Sequence, residues 1–290
     1  MLLLDKALRS SSFNVYIITL FTSNLLYAAV DGPVKILTMA ATGWRLGRSF
    51  CTLSLYAIYV LAPMTLHTHL LISLNRAWAL FWPIGYRNYH TAKTAGAICV
   101  IMVFYVHAWQ LPGVILDALY YRLSPEKGCW LNRAAIPVYA ALQNWTQTAP
   151  TFFVPLCYPF LLLKYYLRKR KIAERSAGNN GGLVQVQQPL RKKAGQPFLI
   201  TTMFTVAFTV CWLPTPVFYL MTESAPNAYP VFRQFQAAAY SLLPILDPIL
   251  FCLTIRYWQD STRRLWRTYV SRPTANAVDA TSMSRVVTEK

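Results

Sequence analysis

Charge is what this sequence has least of. Charged side chains make up 13% of its 290 residues, and only ten are acidic. Asp31, Asp117 and Glu126 are scattered near one side and do not pair. No carboxylate couple for general acid–base work is therefore visible. The six cysteines include no Cys-x-x-Cys and no Cys/His cluster, which argues against a metal centre. His67 and His69 lie two apart, so on a helix they point to different faces. They read as packing or hydrogen-bonded histidines rather than metal ligands. With no catalytic constellation, the chain is read as a non-enzyme that needs no cofactor. Internal repeats are absent as well, and no set of charged residues lines several segments. Both lacks argue against a transporter or channel. No cleavable signal peptide is expected, because the apolar start at 1–4 is too short and Asp5, Lys6 and Arg9 follow it.

What fills the sequence instead is apolar. Hydrophobic residues are 55% of the chain and mean hydropathy is +0.33. A membrane span needs about 20 mostly apolar residues. Six segments qualify, at roughly 13–37, 50–81, 94–119, 136–166, 198–221 and 232–255. An all-α transmembrane helix bundle follows as the fold class, occupying residues 1–270 as one domain.

The net charge of +18 could suggest nucleic acid, but its placement argues otherwise. Under six spans, the termini and alternate loops share one side. That side holds Lys6, Arg9, Arg76, Arg87 and Lys93, nine basic residues from 164 to 193, and seven from 256 to 290. The other side holds seven of the 28. The positive-inside rule makes the richer side cytoplasmic. Anionic membrane lipids, not nucleic acid, are the partner for this basic face.

Cys99, Cys157, Cys211 and Cys252 fall inside apolar segments as packing residues. Cys51 and Cys129 fall at or in non-cytoplasmic loops, where oxidation is permitted. A disulfide between them would tie the outer end of the second segment to the loop after the third. Residues 168–196 read as a flexible linker, basic at both ends with Gly178-Asn179-Asn180-Gly181-Gly182 between. Trp258, Thr262, Leu265, Trp266 and Tyr269 recur at helical spacing among arginines. This predicts an amphipathic helix over 256–269 on the inner membrane surface, with a disordered polar tail at 271–290.

Several motifs stand in a fixed order. Asn24 lies ten residues after Asn14 and nine before Pro33. Trp44-Arg45-Leu46-Gly47 precedes Cys51, and Arg76 follows 25 residues later as Asn75-Arg76-Ala77. Pro83 with Tyr86-Arg87, then Phe152-x-x-Pro155-Leu156, come next. Phe208 precedes Cys211-Trp212-Leu213-Pro214, where a proline deep in an apolar run kinks a helix. Thirty-three residues after Pro214 stands Asp247-Pro248-Ile249-Leu250-Phe251, with Tyr257 beyond it. In this order the motifs resemble the second to seventh helices of a rhodopsin-like (class A) G-protein-coupled receptor.

The resemblance implies a plasma-membrane, multi-pass receptor that binds an extracellular ligand and signals to a cytoplasmic heterotrimeric G protein. The family's first helix has no counterpart, and residues 1–10 resemble its inner end. An alternative is therefore a truncated, non-signalling six-span fragment that pairs with a full-length receptor. The family fold implies an outer ligand cavity lined by Ile58, Tyr59, Ala62, Gln147, Thr148, Thr151, Trp212, Thr215, Tyr219, Ala237, Tyr240 and Ser241. Ile58 stands where amine receptors carry an aspartate, and Ser241 where opsins carry the retinal-linking lysine. A peptide or lipid fits better than a monoamine. Arg233, Lys35 and Asp31 near the mouth favour a charged peptide end.

The switch and G-protein contacts implied are Asn75, Arg76, Trp212, Pro214, Asp247, Pro248 and Phe251. Asn75 replaces the usual acid beside the arginine, and Phe251 replaces a tyrosine. The family's aspartate in the second helix and asparagine in the seventh are exchanged here, as Asn24 and Asp247. An intramembrane carboxylate is a functional candidate by default. A sodium ion held by Asn24, Thr65 and Asp247 is one reading. A protonated or hydrogen-bonded Asp247 bridging to Asn24 is the other and the favoured one.

Overall fold

The computed structural model describes residues 12–40, 44–123, 129–178, 202–203, 205–217 and 230–254. The predicted amphipathic helix, the tail and most of the 168–196 linker lie outside these residues. Among the described residues the architecture is all-helical, as the composition requires.

Seven helices are described. They are α1 (Ser12–Ala40), α2 (Gly47–Phe81), α3 (Pro83–Tyr89), α4 (Ala92–Tyr121), α5 (Pro137–Gly178), α6 (Thr205–Val217) and α7 (Pro230–Thr254). Three of them, α1 to Leu37, α2 and α4, are long and apolar enough to cross a membrane. Shorter apolar stretches occupy α6 and Ser241–Phe251 of α7. Large apolar side chains face outward along the bundle, among them Leu25, Ile36, Ile101, Phe104 and Phe160. Hydrocarbon outside the bundle accepts such a surface where water would not.

Local chemistry sets the helix ends. Gly47 opens α2 with φ +75°, a conformation that a side chain disfavours, and Trp44 Nε1 donates to the Gly47 carbonyl at 2.9 Å. Trp82, forced from helical geometry by Pro83, closes α2 at φ −129° and ψ 67°. Thr91 caps α4 by accepting from the Thr94 amide at 3.2 Å. Pro63 lacks an amide proton, and the turn before it widens: Ala57–Leu61 is a π-turn in which the Ala62 amide donates to Ala57 five residues back. A second π-turn, Asp117–Tyr121, ends α4.

The expected flexible linker begins too early. Residues 168–178 continue α5 as a helix, with Arg170 Nε donating to Glu174 Oε1 at 2.9 Å one turn on. Straight-chain basic residues favour a helix as readily as a loop, and the opposite-sign pair at i, i+4 supports it.

α2 is the central helix. It packs against α1, α4 and α5, and α1 packs against α4 and α7. The main core joins Tyr27 of α1, Val60, Leu61 and Leu66 of α2, Val106 of α4, Val154 of α5, Phe208 and Trp212 of α6 and Leu243 of α7. A second cluster at the Arg76 end gathers Tyr16, Ile17, Leu20, Ile72, Cys99 and Phe251. A third, at the opposite end, gathers Cys51, Leu55, Val114, Leu131 and Ile136. By the charge bias, the Arg76 end is called inner and the Cys51 end outer.

Candidate functional site

The outer end is tied covalently. Cys51 and Cys129 form a disulfide with Cα atoms 5.5 Å apart. Beside it lies a polar clamp. The Asp117 carboxylate takes the Arg122 guanidinium on Oδ2 and the Asn132 amide on Oδ1, the latter at 2.9 Å. Arg122 also reaches Thr52 Oγ1 at 3.3 Å. Asp117 therefore anchors the outer loop to α2 and α4. Asp31 is paired too: Lys35 Nζ lies 2.7 Å from its Oδ2, at i, i+4 on α1. Glu126 lies outside the described residues.

Lys35 does more than neutralise Asp31. Its Nζ donates to Ser241 Oγ at 2.9 Å, joining α1 to α7. The expected cavity-lining residues divide by exposure. Ala62, Thr151 and Trp212 are buried, and the Thr151 hydroxyl donates to the Gln147 carbonyl of its own helix at 3.0 Å. Ile58, Tyr59, Gln147, Thr215 and Ser241 are partly exposed. Tyr219 and the side chains of Thr148, Arg233, Ala237 and Tyr240 lie outside the described residues. Trp212 stacks on Phe208 with ring centroids 6.4 Å apart. Phe208 in turn meets the His69 ring at 5.0 Å.

His69 leads into a buried polar network. Asp247 is fully buried, and its Oδ2 accepts from Asn24 Nδ2 at 2.7 Å. His69 Nε2 lies 3.0 Å from the same oxygen, and against an ionised carboxylate the imidazole is the donor. Thr65 Oγ1 donates to Asn24 Oδ1 at 3.0 Å. Three helices, α1, α2 and α7, meet through four side chains. Both histidines are hydrogen-bonded and on different faces, as their spacing of two implies; the residue that shares the face of His69 is Thr65, four residues earlier. His67 is turned away, with Nδ1 donating to the Pro63 carbonyl at 2.8 Å.

At the inner end, the guanidinium carbon of Arg76 lies 3.7 Å from the centroid of the Phe13 ring. Arg76 Nε and both side-chain amide atoms of Asn75 are buried with no hydrogen-bond partner among the described residues. Pro248 and Phe251 follow Asp247 on α7, and Phe251 packs edge-on against Phe21 at 5.2 Å. An aromatic cluster completes this end. His90 stacks on Tyr86 at 4.5 Å, meets Trp78 edge-on at 5.4 Å, and shares a 3.0 Å hydrogen bond with the Tyr16 hydroxyl. Burial pushes the His90 imidazole below its usual range.

Comparison with known proteins places this geometry. The model of the 7 transmembrane receptor (rhodopsin family) matches residues 1–251. The chain belongs to the rhodopsin family of seven-transmembrane receptors and is a multi-pass membrane protein. It is similar to the high-affinity lysophosphatidic acid receptor of Xenopus laevis, 22% identical over 89% of this chain and 74% of that one. It is similar to the histamine H1 receptor of Rattus norvegicus, 29% identical over 34% of this chain and only 20% of that receptor. It is similar to the C5a anaphylatoxin chemotactic receptor 1 of Oncorhynchus mykiss, 23% identical over 85% of this chain and 69% of that one.

Proposed function

We propose that the chain is a plasma-membrane receptor for an extracellular peptide or lipid, coupling that ligand to a cytoplasmic heterotrimeric G protein. The observation that carries this reading is the ring-to-ring path from Trp212 through Phe208 to His69, which ends on the Asp247 network. A ligand pressing on Trp212 from the outer cavity acts on the side chains that hold α2, α6 and α7 together. The expected motion is an outward swing of the inner half of α6 about Pro214, which opens a path to Arg76.

The ligand class follows from the cavity residues. Ile58 offers no carboxylate to an ammonium, which disfavours a monoamine. Tyr59, Gln147, Thr215 and Ser241 offer neutral donors on an apolar, aromatic wall, suited to a mostly apolar ligand with few polar groups. Similar proteins are named for lysophosphatidic acid, for the C5a anaphylatoxin and for histamine; the first two chemistries support a peptide or lipid, and Ile58 is the observation that weighs against the third.

The test is guanine-nucleotide exchange in membranes containing the chain and a panel of G proteins, challenged in turn with peptides, lysophospholipids and amines. Exchange raised by a peptide or lysophospholipid, and lost in Trp212→Ala at equal surface expression, is the expected result. Well-expressed protein that answers only to amines, or to none of the three, sinks the reading.

A further inference from the structure

Asn24, Thr65 and Asp247 are the residues from which the family pattern builds a sodium site, and the arrangement here can be tested for its fit to a cation. A cation needs several oxygen lone pairs aimed at one point. The Thr65 hydroxyl proton is directed at Asn24 Oδ1, so that oxygen is engaged. Asp247 Oδ2 is covered by two N–H groups, from Asn24 at 2.7 Å and from His69 at 3.0 Å. Two N–H groups aimed at that oxygen put partial positive charge where a cation would need negative charge. Among the described residues Asp247 Oδ1 has no hydrogen-bond partner, and Thr65 Oγ1, as a donor, keeps its own lone pairs. Two uncommitted oxygens fall short of the several that a cation needs.

The imidazole also stands directly beside the carboxylate. His69 is buried, and its ring is held between Asp247 and the Phe208 ring at 5.0 Å. The family pattern alone supplies Asn24 as a single side-chain donor to the exchanged carboxylate. His69 adds a second donor, on the same face of α2 as Thr65 and one turn further in. Burying an unaccompanied carboxylate is costly, and the pair of N–H donors meets that need without an ion.

We propose that His69 stands in for the cation: it converts the ion site of the family into a hydrogen-bond lock between α2 and α7 that does not respond to sodium. The lock rests on family membership and on this geometry, and holds whichever ligand the receptor takes.

The experiment is thermal unfolding of the whole chain in detergent micelles, with sodium chloride compared against choline chloride at equal ionic strength. The wild-type midpoint should be the same in both salts. His69→Leu, which removes the donor and opens space beside the carboxylate, should gain a midpoint several degrees higher in sodium. His69→Gln keeps an N–H and should stay indifferent. A wild-type midpoint that rises with sodium overturns the proposal. So does a folded His69→Leu variant that remains indifferent, because His69 is then not what excludes the ion. Should His69→Leu fail to fold, the imidazole proton itself decides. In wild-type protein labelled with nitrogen-15 histidine, the His69 Nε2–H resonance should be protected from exchange and unmoved by sodium. Its loss or displacement on adding sodium counts against the lock.

Discussion

Asn24 and Asp247, 223 positions apart in the chain, are joined by a 2.7 Å hydrogen bond with the amide nitrogen as donor. The bond shares its acceptor oxygen with His69. Asp247→Ala therefore leaves two buried donors with no acceptor, each costing about 1–3 kcal/mol. The thermal midpoint in detergent should fall by well over the effect of Asn24→Ala alone. A double-mutant cycle between His69→Ala and Asp247→Ala should show coupling, since the two side chains touch. Additive losses would mean that the contact contributes nothing.

Breaking the Cys51–Cys129 bridge should cost about 2–5 kcal/mol, the range for native disulfides. Cys51→Ser and Cys129→Ser should each lower folded surface expression, and the double variant should be no worse than either. Peptide mapping of the wild-type chain without reductant should recover the two cysteines as one linked pair.

Arg76 lacks the acid that usually sits beside it and rests on the Phe13 ring instead. A cation–π contact of this kind contributes about 0.5–2 kcal/mol, whereas a charge-assisted hydrogen bond contributes about 1.5–3 kcal/mol. Asn75→Asp should hold the guanidinium more firmly and lower ligand-free G-protein nucleotide exchange by about tenfold or more. Phe13→Ala should raise it. Unchanged exchange in both variants would show that Arg76 is not restrained at this place.

His90 gives the inner end a pH dependence. Its folded-state pKa is depressed by burial below the ordinary value of 6.5. The unfolded chain therefore takes up the proton first as pH falls, and stability drops below about pH 6.5, by at most about 1.4 kcal/mol per pH unit. The ring is flanked by the stacked Tyr86 and edge-on Trp78 rings, and among the described residues no carboxylate pairs with it to favour the charged form. The thermal midpoint should decline between pH 7 and pH 5, and His90→Phe should flatten that decline. A midpoint that rises toward pH 5 in the wild type and not in the variant would reverse the sign.

Topology can be checked from outside the cell. The nine basic residues between 164 and 193 should keep that stretch cytoplasmic. Protease added to intact cells should leave Gly181-Gly182 uncut, and should cut there once the membrane is permeabilised. Cleavage in sealed cells would invert the orientation.

The helices were legible because long apolar runs leave the chain few other choices in lipid. The Asn24–Asp247 exchange was legible because both residues stand at fixed distances from prolines. The partner of His69 was not, because only its spacing of four from Thr65 puts it on the face that meets Asp247, and a lone histidine in an apolar run carries no mark of that partner. The Asp117–Arg122 pair spans five residues across a π-turn, a spacing that ordinary helical periodicity does not bring together. The helical continuation to Gly178 was hidden because a run of basic residues resembles a loop by charge alone.

The π-turn at Ala57–Leu61 changes how α2 is to be read. One extra residue in that turn rotates everything beyond it by about 100° relative to an uninterrupted helix. Ile58 and Tyr59 therefore present a different azimuth from the one obtained by counting outward from Thr65 or Arg76. Outer and inner halves of α2 thus carry independent angular settings, divided just ahead of Pro63. A substitution that regularised this turn should leave the Asp247 network in place while turning Ile58 and Tyr59 away from the proposed ligand cavity, separating the proposed ligand recognition from the lock on a single helix.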